Sequence, residues 1–124
     1  MRKIRVLIVE HHALLRDGLL LLIQGSPTLK SGARPGPVRK PSNYSSSAPD
    51  VTLMDLDLPA SAGTTVVRRI LKRDPSACVL GLLAHEEDVI RERAMRAGAR
   101  SCITKGRLNQ DLVVLIQDCA RHPN

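Results

Sequence analysis

Ionisable residues end or directly follow three of the short apolar runs in the sequence. They are Glu10, His11, His12, Asp55, Asp57 and Lys105. Carboxylate oxygens bind hard cations, an imidazole nitrogen binds borderline metals or carries a proton, and an ammonium group pairs with anions. Brought together, these side chains would form a site for a cation and an anionic substrate. The alternative is that Asp55 merely begins a polar turn.

Each apolar run is predicted to be a buried strand, because it is short, aliphatic and bounded by turn residues. The predicted strands are Ile4–Val9, Val51–Met54, Cys78–Leu83 and Ser101–Thr104. The predicted amphipathic helices are Ala13–Gln24, Thr64–Arg73, Glu86–Ala97 and Leu108–Arg121. Strands that alternate with helices predict an α/β fold with a parallel sheet and right-handed crossovers.

The carboxyl ends of parallel strands share one edge of a sheet, and ligands of open α/β sheets bind outside that edge. Topology alone therefore brings Glu10 with His11, Asp55, Leu83 and Lys105 to one crevice. This placement favours a functional role for Asp55 over a simple turn.

The helix over 86–97 carries two charge pairs at the favourable i,i+4 spacing, Glu87 with Arg91 and Glu92 with Arg96. Gly98 follows its last residue and is predicted to be a left-handed cap.

The stretch from Thr28 to Asp50 is rich in Pro, Ser, Gly and basic residues. Thr28–Ala33 is predicted to be a poor edge strand. Three prolines between Pro35 and Ser47 each remove an amide donor and clash with a helical turn. We therefore predict that Pro35–Ser47 is not a regular helix and that residues 34–49 are irregular.

The composition predicts one domain of 124 residues with an aliphatic core, since the chain has one Tyr and no Phe or Trp. Three cysteines, an odd number without paired spacing, argue against a disulfide framework and for a reducing compartment. The short apolar run at the N-terminus is no signal peptide or membrane span. We expect a cytoplasmic protein without a membrane partner.

A net charge of +7 favours an anionic partner. A nucleic-acid surface would use Arg34, Arg39, Lys40 and the helix carrying Arg68–Arg73. The near absence of aromatic residues removes base stacking as a binding device. We therefore expect a solvated basic surface and no nucleic acid bound by this domain alone.

Over nearly its whole length the chain resembles a response-regulator receiver domain. The motifs that carry the resemblance are Val6–Val9 with Glu10-His11, Leu53-Met54-Asp55 with Pro59 and Gly63, Ala84-His85, Arg96–Ala99 and Lys105. The opening Ile-Arg-Val-Leu-Ile-Val and residues 12–18 are most similar to the NarL/FixJ subfamily, whose members usually carry a LuxR-type DNA-binding domain. The resemblance implies a doubly wound five-stranded sheet in the order 2-1-3-4-5 with a degraded second helix.

The resemblance also implies phosphorelay signalling rather than an enzyme. A sensor histidine kinase would transfer a phosphoryl group to Asp55, and Lys105 would pair with the phosphoryl oxygens. Glu10, Asp55 and the backbone carbonyl of Asp57 would hold Mg²⁺, which neutralises charge in phosphoryl transfer. Leu83 and Cys102 stand at the two switch positions of the family.

Four residues depart from the family pattern. His11 replaces the second acid, and imidazole is a poor Mg²⁺ ligand. Leu83 lacks the hydroxyl of the usual Thr or Ser, Cys102 replaces an aromatic ring, and Gly106 stands where proline is often found. We therefore predict weak or absent Mg²⁺ binding and a damaged switch.

For His11 two interpretations stand. Either it joins Glu10, Asp55 or His12 as a transition-metal ligand, or metal binding is lost and the imidazole is solvated or hydrogen-bonded. We favour the second, because no ligand set has a diagnostic spacing.

Two functions are likewise open. The first is a receiver that accepts a phosphoryl group weakly on Asp55 and regulates transcription through a separate DNA-binding domain. The second is a phosphorylation-independent protein-interaction module that uses the face of helix 86–97, strand 101–104 and helix 108–121. Its partner would be a kinase, another regulatory protein or a second copy. We expect a single receiver domain over 1–124 with no output domain.

Overall fold

Five strands form one parallel sheet in the order β2-β1-β3-β4-β5. The structure is a computed structural model that describes residues 3–31, 49–58 and 62–121. The strands are β1 (Ile4–Val9), β2 (Leu29–Ser31), β3 (Val51–Asp55), β4 (Cys78–Leu83) and β5 (Ser101–Thr104). The predicted fold class and strand order are confirmed, and β3 is central with β1 and β4 as its neighbours.

Within the described residues, four helices cover the two faces of the sheet. They are α1 (Ala13–Gln24), α2 (Ala62–Arg73), α3 (Asp88–Ala97) and α4 (Leu108–Arg121), and a 3-10 turn over Lys105–Arg107 precedes α4. The predicted bounds of α1 and α4 are confirmed. Helix α3 begins two residues later than predicted, because Glu87 caps it in an extended conformation with φ −129°.

The core has two layers, one on each face of the sheet. On one face, α1 and α4 pack through Leu19, Ile23, Leu112 and Ile116 against β1, β3 and β4. On the other, α2 and α3 pack through Val67, Ile70 and Ala94 against Met54 and Leu83. All of β3 and β4 is buried, as expected for the middle of a parallel sheet. Because both faces of the sheet are packed against helices, each strand is held in place along its own direction. The residues that follow the carboxyl ends of the strands are therefore held at one edge of the sheet.

Gly98 adopts the predicted left-handed conformation at the end of α3, with φ 113°. Of the two predicted charge pairs on this helix, only Glu92 with Arg96 forms, at 2.6 Å. The pairing of Glu87 with Arg91 was wrong. Arg91 instead binds Glu86, which lies before the helix and can approach the guanidinium group in its plane.

The prediction against disulfide pairing is also contradicted. Cys78 begins β4 and Cys119 lies near the end of α4, and the structure bonds their sulfurs with Cα atoms 6.1 Å apart. Cys102 is free and buried. A separation of 41 residues gives no pairing signal in the sequence, because packing of α4 on β4 alone brings the two together. The cysteine count therefore no longer argues for a reducing compartment.

The poor edge strand predicted over Thr28–Ala33 is present as the three residues of β2, which pair with β1. The predictions for Pro35–Ser47, for residues 34–48 of the irregular segment and for a degraded second helix lie outside the described residues. No helix in the described ranges is both long and apolar enough to cross a membrane.

Candidate functional site

Asp55 lies at the carboxyl end of β3, and its side chain is completely buried. Its Oδ1 accepts hydrogen bonds from the backbone N–H of Asp57 at 2.8 Å and from Lys105 Nζ at 3.1 Å. Its Oδ2 accepts the backbone N–H of His11 at 3.3 Å and contacts His11 Nδ1. The two oxygens therefore face different neighbours, with the lysine on one side and the histidine on the other.

Gly63, one of the residues that carry the family resemblance, lets α2 start close to this strand end. A Cβ atom at Gly63 would overlap the backbone oxygen of Asp55. Where two backbone segments approach each other this closely, only glycine fits. The first turn of α2 is thereby held against the site.

Lys105 gathers three carboxylates around one ammonium group. It follows β5, and its Nζ lies 3.1 Å from oxygens of Glu10, Asp55 and Asp57. Burial alone would lower the pKa of Lys105, but the contacts with these carboxylates outweigh burial and raise it. The lysine is therefore a fixed positive charge beside Asp55 and not a general base.

Glu10 is held at the end of β1 by the turn that follows it. Its side chain has no exposed area, and its Oε2 accepts the backbone N–H of His12 at 3.1 Å. This role of the His12 amide could not be predicted from the sequence, because it depends on the conformation of the residue that caps α1. Burial is the largest influence on Glu10 and raises the pKa of its carboxyl group.

Asp55 has the opposite tendency although it is equally buried. Burial would raise its pKa, but hydrogen bonds from the Asp57 amide, His11 and Lys105 outweigh burial and lower it to about 2. Asp55 is therefore ionised at neutral pH, which is the nucleophilic form of a carboxyl group.

His11 lies on the solvent side of the site. Its side chain is 46% exposed, and its Nδ1 lies 3.7 Å from Glu10 Oε2 as well as in contact with Asp55. Its ring stacks on that of His12, with 5.1 Å between centroids. His11 is hydrogen-bonded to Asp55 and half-exposed, as the second of the two interpretations describes, and its Nδ1 also lies within reach of both acids, as the first requires.

The donor set fits Mg²⁺ only in part. Carboxylate oxygens of Glu10 and Asp55 suit this hard cation, but His11 presents a nitrogen where a further oxygen is needed. The carbonyl of Asp57 as a ligand stays a prediction, and the carboxylate of Asp57 contacts Lys105 instead. The residues therefore do not form a complete hard-ligand set.

The two switch positions are buried and apolar in character. Leu83 ends β4 with no exposed area, and Cys102 lies on β5 at 6% exposure, both within the core layer under α2 and α3. Burial raises the pKa of the Cys102 thiol. Neither side chain brings a hydroxyl donor to Asp55.

Sequence reasoning missed the role of Arg91. Its Nε and Nη2 bind both oxygens of Glu86 at 2.6 and 2.9 Å, and its Nη1 donates to the carbonyl of Cys102 at 3.0 Å. The side chain thus links the loop before α3 to β5. It forms one wall of a groove of about 360 Å³ between α3, β5 and α4.

We expect replacement of His11 by aspartate to raise the affinity for Mg²⁺ at least about tenfold, because it completes an oxygen ligand set. Titration of Mg²⁺, followed by the amide shifts around Asp55, measures this. His12→Asp is the matched control, since it adds the same charge one residue away. Equal Mg²⁺ affinities of the native protein and His11→Asp would show that His11 is not the residue that weakens Mg²⁺ binding.

The matches to known proteins cover the sheet and the site alike. Residues 6–117 match the family described as response regulator receiver domain. The chain is 32% identical to the response regulator GacA of Pseudomonas viridiflava, over 83% of this chain and 49% of that protein. It is 30% identical to a protein-glutamate methylesterase/protein-glutamine glutaminase of Chromobacterium violaceum, over 95% of this chain and 36% of that protein.

Among solved structures, the signal receiver domain of the response regulator NarL from Mycobacterium tuberculosis superimposes with a TM-score of 0.82, at 24% identity over 98% of both chains. This chain spans about half or less of the length of the two curated relatives above. The family match begins within β1, extends over the other four strands and includes Glu10 and Asp55. The chain belongs to the response regulator receiver domain family.

Proposed function

We propose that the chain is the phosphoryl-accepting domain of a two-component response regulator, with Asp55 as the acceptor. The observation that carries this proposal is a buried, ionised carboxylate at the end of the central strand, with the Lys105 ammonium 3.1 Å from its Oδ1. The family match supports it. The domain itself is not an enzyme in this proposal, although one relative is named a methylesterase, and the match covers 36% of that protein.

The proposed step is an in-line attack of an Asp55 oxygen on phosphorus. A new P–O bond forms while the bond from phosphorus to the donor breaks, and the donor leaves with the electron pair. The attacking oxygen belongs to Asp55, whose contact with the half-exposed His11 ring can open to admit the donor. Lys105 stays on Oδ1 and pairs with the incoming phosphoryl oxygens.

The proposed donor is a sensor histidine kinase, and the proposed setting is the cytoplasm. The relative NarL of Mycobacterium tuberculosis is named a transcriptional regulatory protein, which supports transcription as the proposed readout, through a DNA-binding domain outside this chain. We further propose that residues 1–124 are a single receiver domain. A homodimer is the proposed assembly where the full regulator binds DNA.

Incubation with a small acyl phosphate donor and Mg²⁺ tests the assignment. We expect the native protein to gain one phosphoryl group that is labile to hydroxylamine, as an acyl phosphate is, and Asp55→Asn to gain none. Asp57→Asn is the matched control and should still be labelled. Intact-mass spectrometry gives the stoichiometry.

The variant His11→Asp is included because it has a complete oxygen ligand set. Weak Mg²⁺ binding therefore could not explain an absence of labelling in this variant. Labelling of Asp55→Asn at the native rate would contradict the assignment of Asp55. Absence of labelling in both the native protein and His11→Asp would overturn the proposal in favour of a phosphorylation-independent interaction module.

A further inference from the structure

Glu10, His11 and Asp55 each offer one ligand atom, and these three atoms lie within 4.8 Å of one another. We propose that this trio binds a borderline transition-metal dication, with Zn²⁺ as the test ion, in preference to Mg²⁺. The inference depends on the donor set alone and is independent of whether Asp55 accepts a phosphoryl group.

A buried carboxylate oxygen lies on the inner side of the trio. Glu10 Oε1 is buried and accepts no hydrogen bond within the described residues, and its charged neighbour is Lys105 Nζ at 3.1 Å. Burial of a carboxylate is costly unless a cation satisfies it. A dication between Glu10 and Asp55 would add to the ammonium that these carboxylates now share.

Carboxyl groups outnumber cations at this strand edge. Glu10, Asp55 and Asp57 all lie 3.1 Å from the ammonium of Lys105. A dication bound by the trio would place further positive charge beside these three groups.

The two oxygens of Asp55 leave room for both cations. Lys105 contacts Oδ1, and His11 contacts Oδ2. A metal on the Oδ2 side would meet the His11 nitrogen and the Glu10 carboxylate without displacing the lysine from Oδ1. The half-exposed His11 ring gives a path of entry from solvent, while the two acids beneath it are fully buried.

Ligand chemistry then decides between ions. Neutral imidazole is a common ligand of Zn²⁺, Ni²⁺ and Cu²⁺, whereas Mg²⁺ requires oxygen ligands. Open zinc sites have three protein ligands, which are drawn from atoms that include imidazole nitrogen and carboxylate oxygen, and leave a position for water. The histidine at position 11 therefore weakens Mg²⁺ binding and changes which ion the site prefers, but it does not abolish metal binding.

Calorimetric titration with Zn²⁺ and with Mg²⁺ tests the inference, and Co²⁺ absorption reports nitrogen ligation. We expect Zn²⁺ to bind at least about 100-fold more tightly than Mg²⁺. His11→Ala should lower Zn²⁺ affinity by more than the roughly 10- to 100-fold that loss of an outer-shell partner costs. His11→Asp should bring the two affinities closer together.

His12→Ala is the matched control, because its ring stacks on His11 but offers no ligand to the trio. It should retain tight Zn²⁺ binding, and paramagnetic Co²⁺ should broaden amide signals around Asp55. Equal losses for His11→Ala and His12→Ala would overturn the proposal, as would Zn²⁺ binding no tighter than Mg²⁺. Because His11 is 46% exposed, these variants should fold, which urea denaturation verifies.

Discussion

Phosphorylation of Asp55 is expected to leave the face formed by α3, β5 and α4 nearly unchanged. A ligand shifts a conformational equilibrium only by the difference in its affinity for the two states. In the receiver family the resemblance assigns that difference largely to a hydroxyl at the position of Leu83. Leu83 is fully buried and cannot donate to a phosphoryl group.

The missing hydrogen bond sets the size of the effect. One hydrogen bond to a charged group contributes about 1.5–3 kcal/mol. Its loss reduces the population shift roughly 10- to 150-fold, at about 1.4 kcal/mol per factor of ten. Cys102 adds to the loss, because it has no ring that could move between an inner and an outer position.

Arg91 also opposes a conformational change of the face formed by α3, β5 and α4. Its guanidinium binds both oxygens of Glu86 and the carbonyl of Cys102, so that the loop before α3 and β5 are tied together. Rearrangement of this face would break those bonds without a compensating bond from Leu83. The Glu86 pair is solvent-exposed, and such pairs contribute little, so the missing hydroxyl remains the larger effect.

The experiment compares amide spectra before and after phosphorylation in the His11→Asp background, where the phosphorylated fraction is verified by mass. In this background shifts should stay near Asp55. Adding Leu83→Thr and Cys102→Tyr should spread them into α3 and β5. Large shifts across α3 and at Cys102 without these two substitutions would show that the switch is intact.

The sheet apart from β2 could be predicted from the sequence, because its other strands are short apolar runs between turn residues. The bounds of β1, β4 and β5 agree residue for residue with the apolar runs. Helix α3 was predicted two residues too long, because the i,i+4 rule treats Glu87 as a helical partner of Arg91. The competing Glu86 contact comes from the loop, where no periodicity applies.

The site could be predicted as far as topology places it. Strand ends put Glu10, Asp55 and Lys105 at one edge, and the structure brings them within hydrogen-bonding distance. The contacts of His11 with Asp55 and of Cys78 with Cys119 could not be predicted. Both depend on side-chain directions and on packing between elements 44 and 41 residues apart.

Replacement of Lys105 by methionine is expected to destabilise the fold by about 3–5 kcal/mol, because it leaves buried carboxylates without their shared cation. The side chains of Glu10 and Asp55 have no exposed area, and Lys105 is their common partner. The loss is a large share of a total stability of roughly 5–15 kcal/mol. Urea denaturation measures it, with Lys72→Met on the exposed side of α2 as the matched control.

The stability lost on replacement of Lys105 by methionine should grow as pH rises. Burial already raises the pKa of Glu10 above its ordinary value of 4.5, and removal of the lysine takes away an influence that lowers it. At pH values between the unfolded and the folded pKa of Glu10, the folded variant therefore holds a proton on Glu10 that the unfolded chain has released. Stability is highest below the unfolded pKa and falls as pH rises through the folded pKa. In the double variant Asp55→Asn/Lys105→Met, one buried charge is gone, so part of the stability should return. A cost for Lys105→Met equal to that of Lys72→Met at neutral pH would refute the shared-cation role of Lys105.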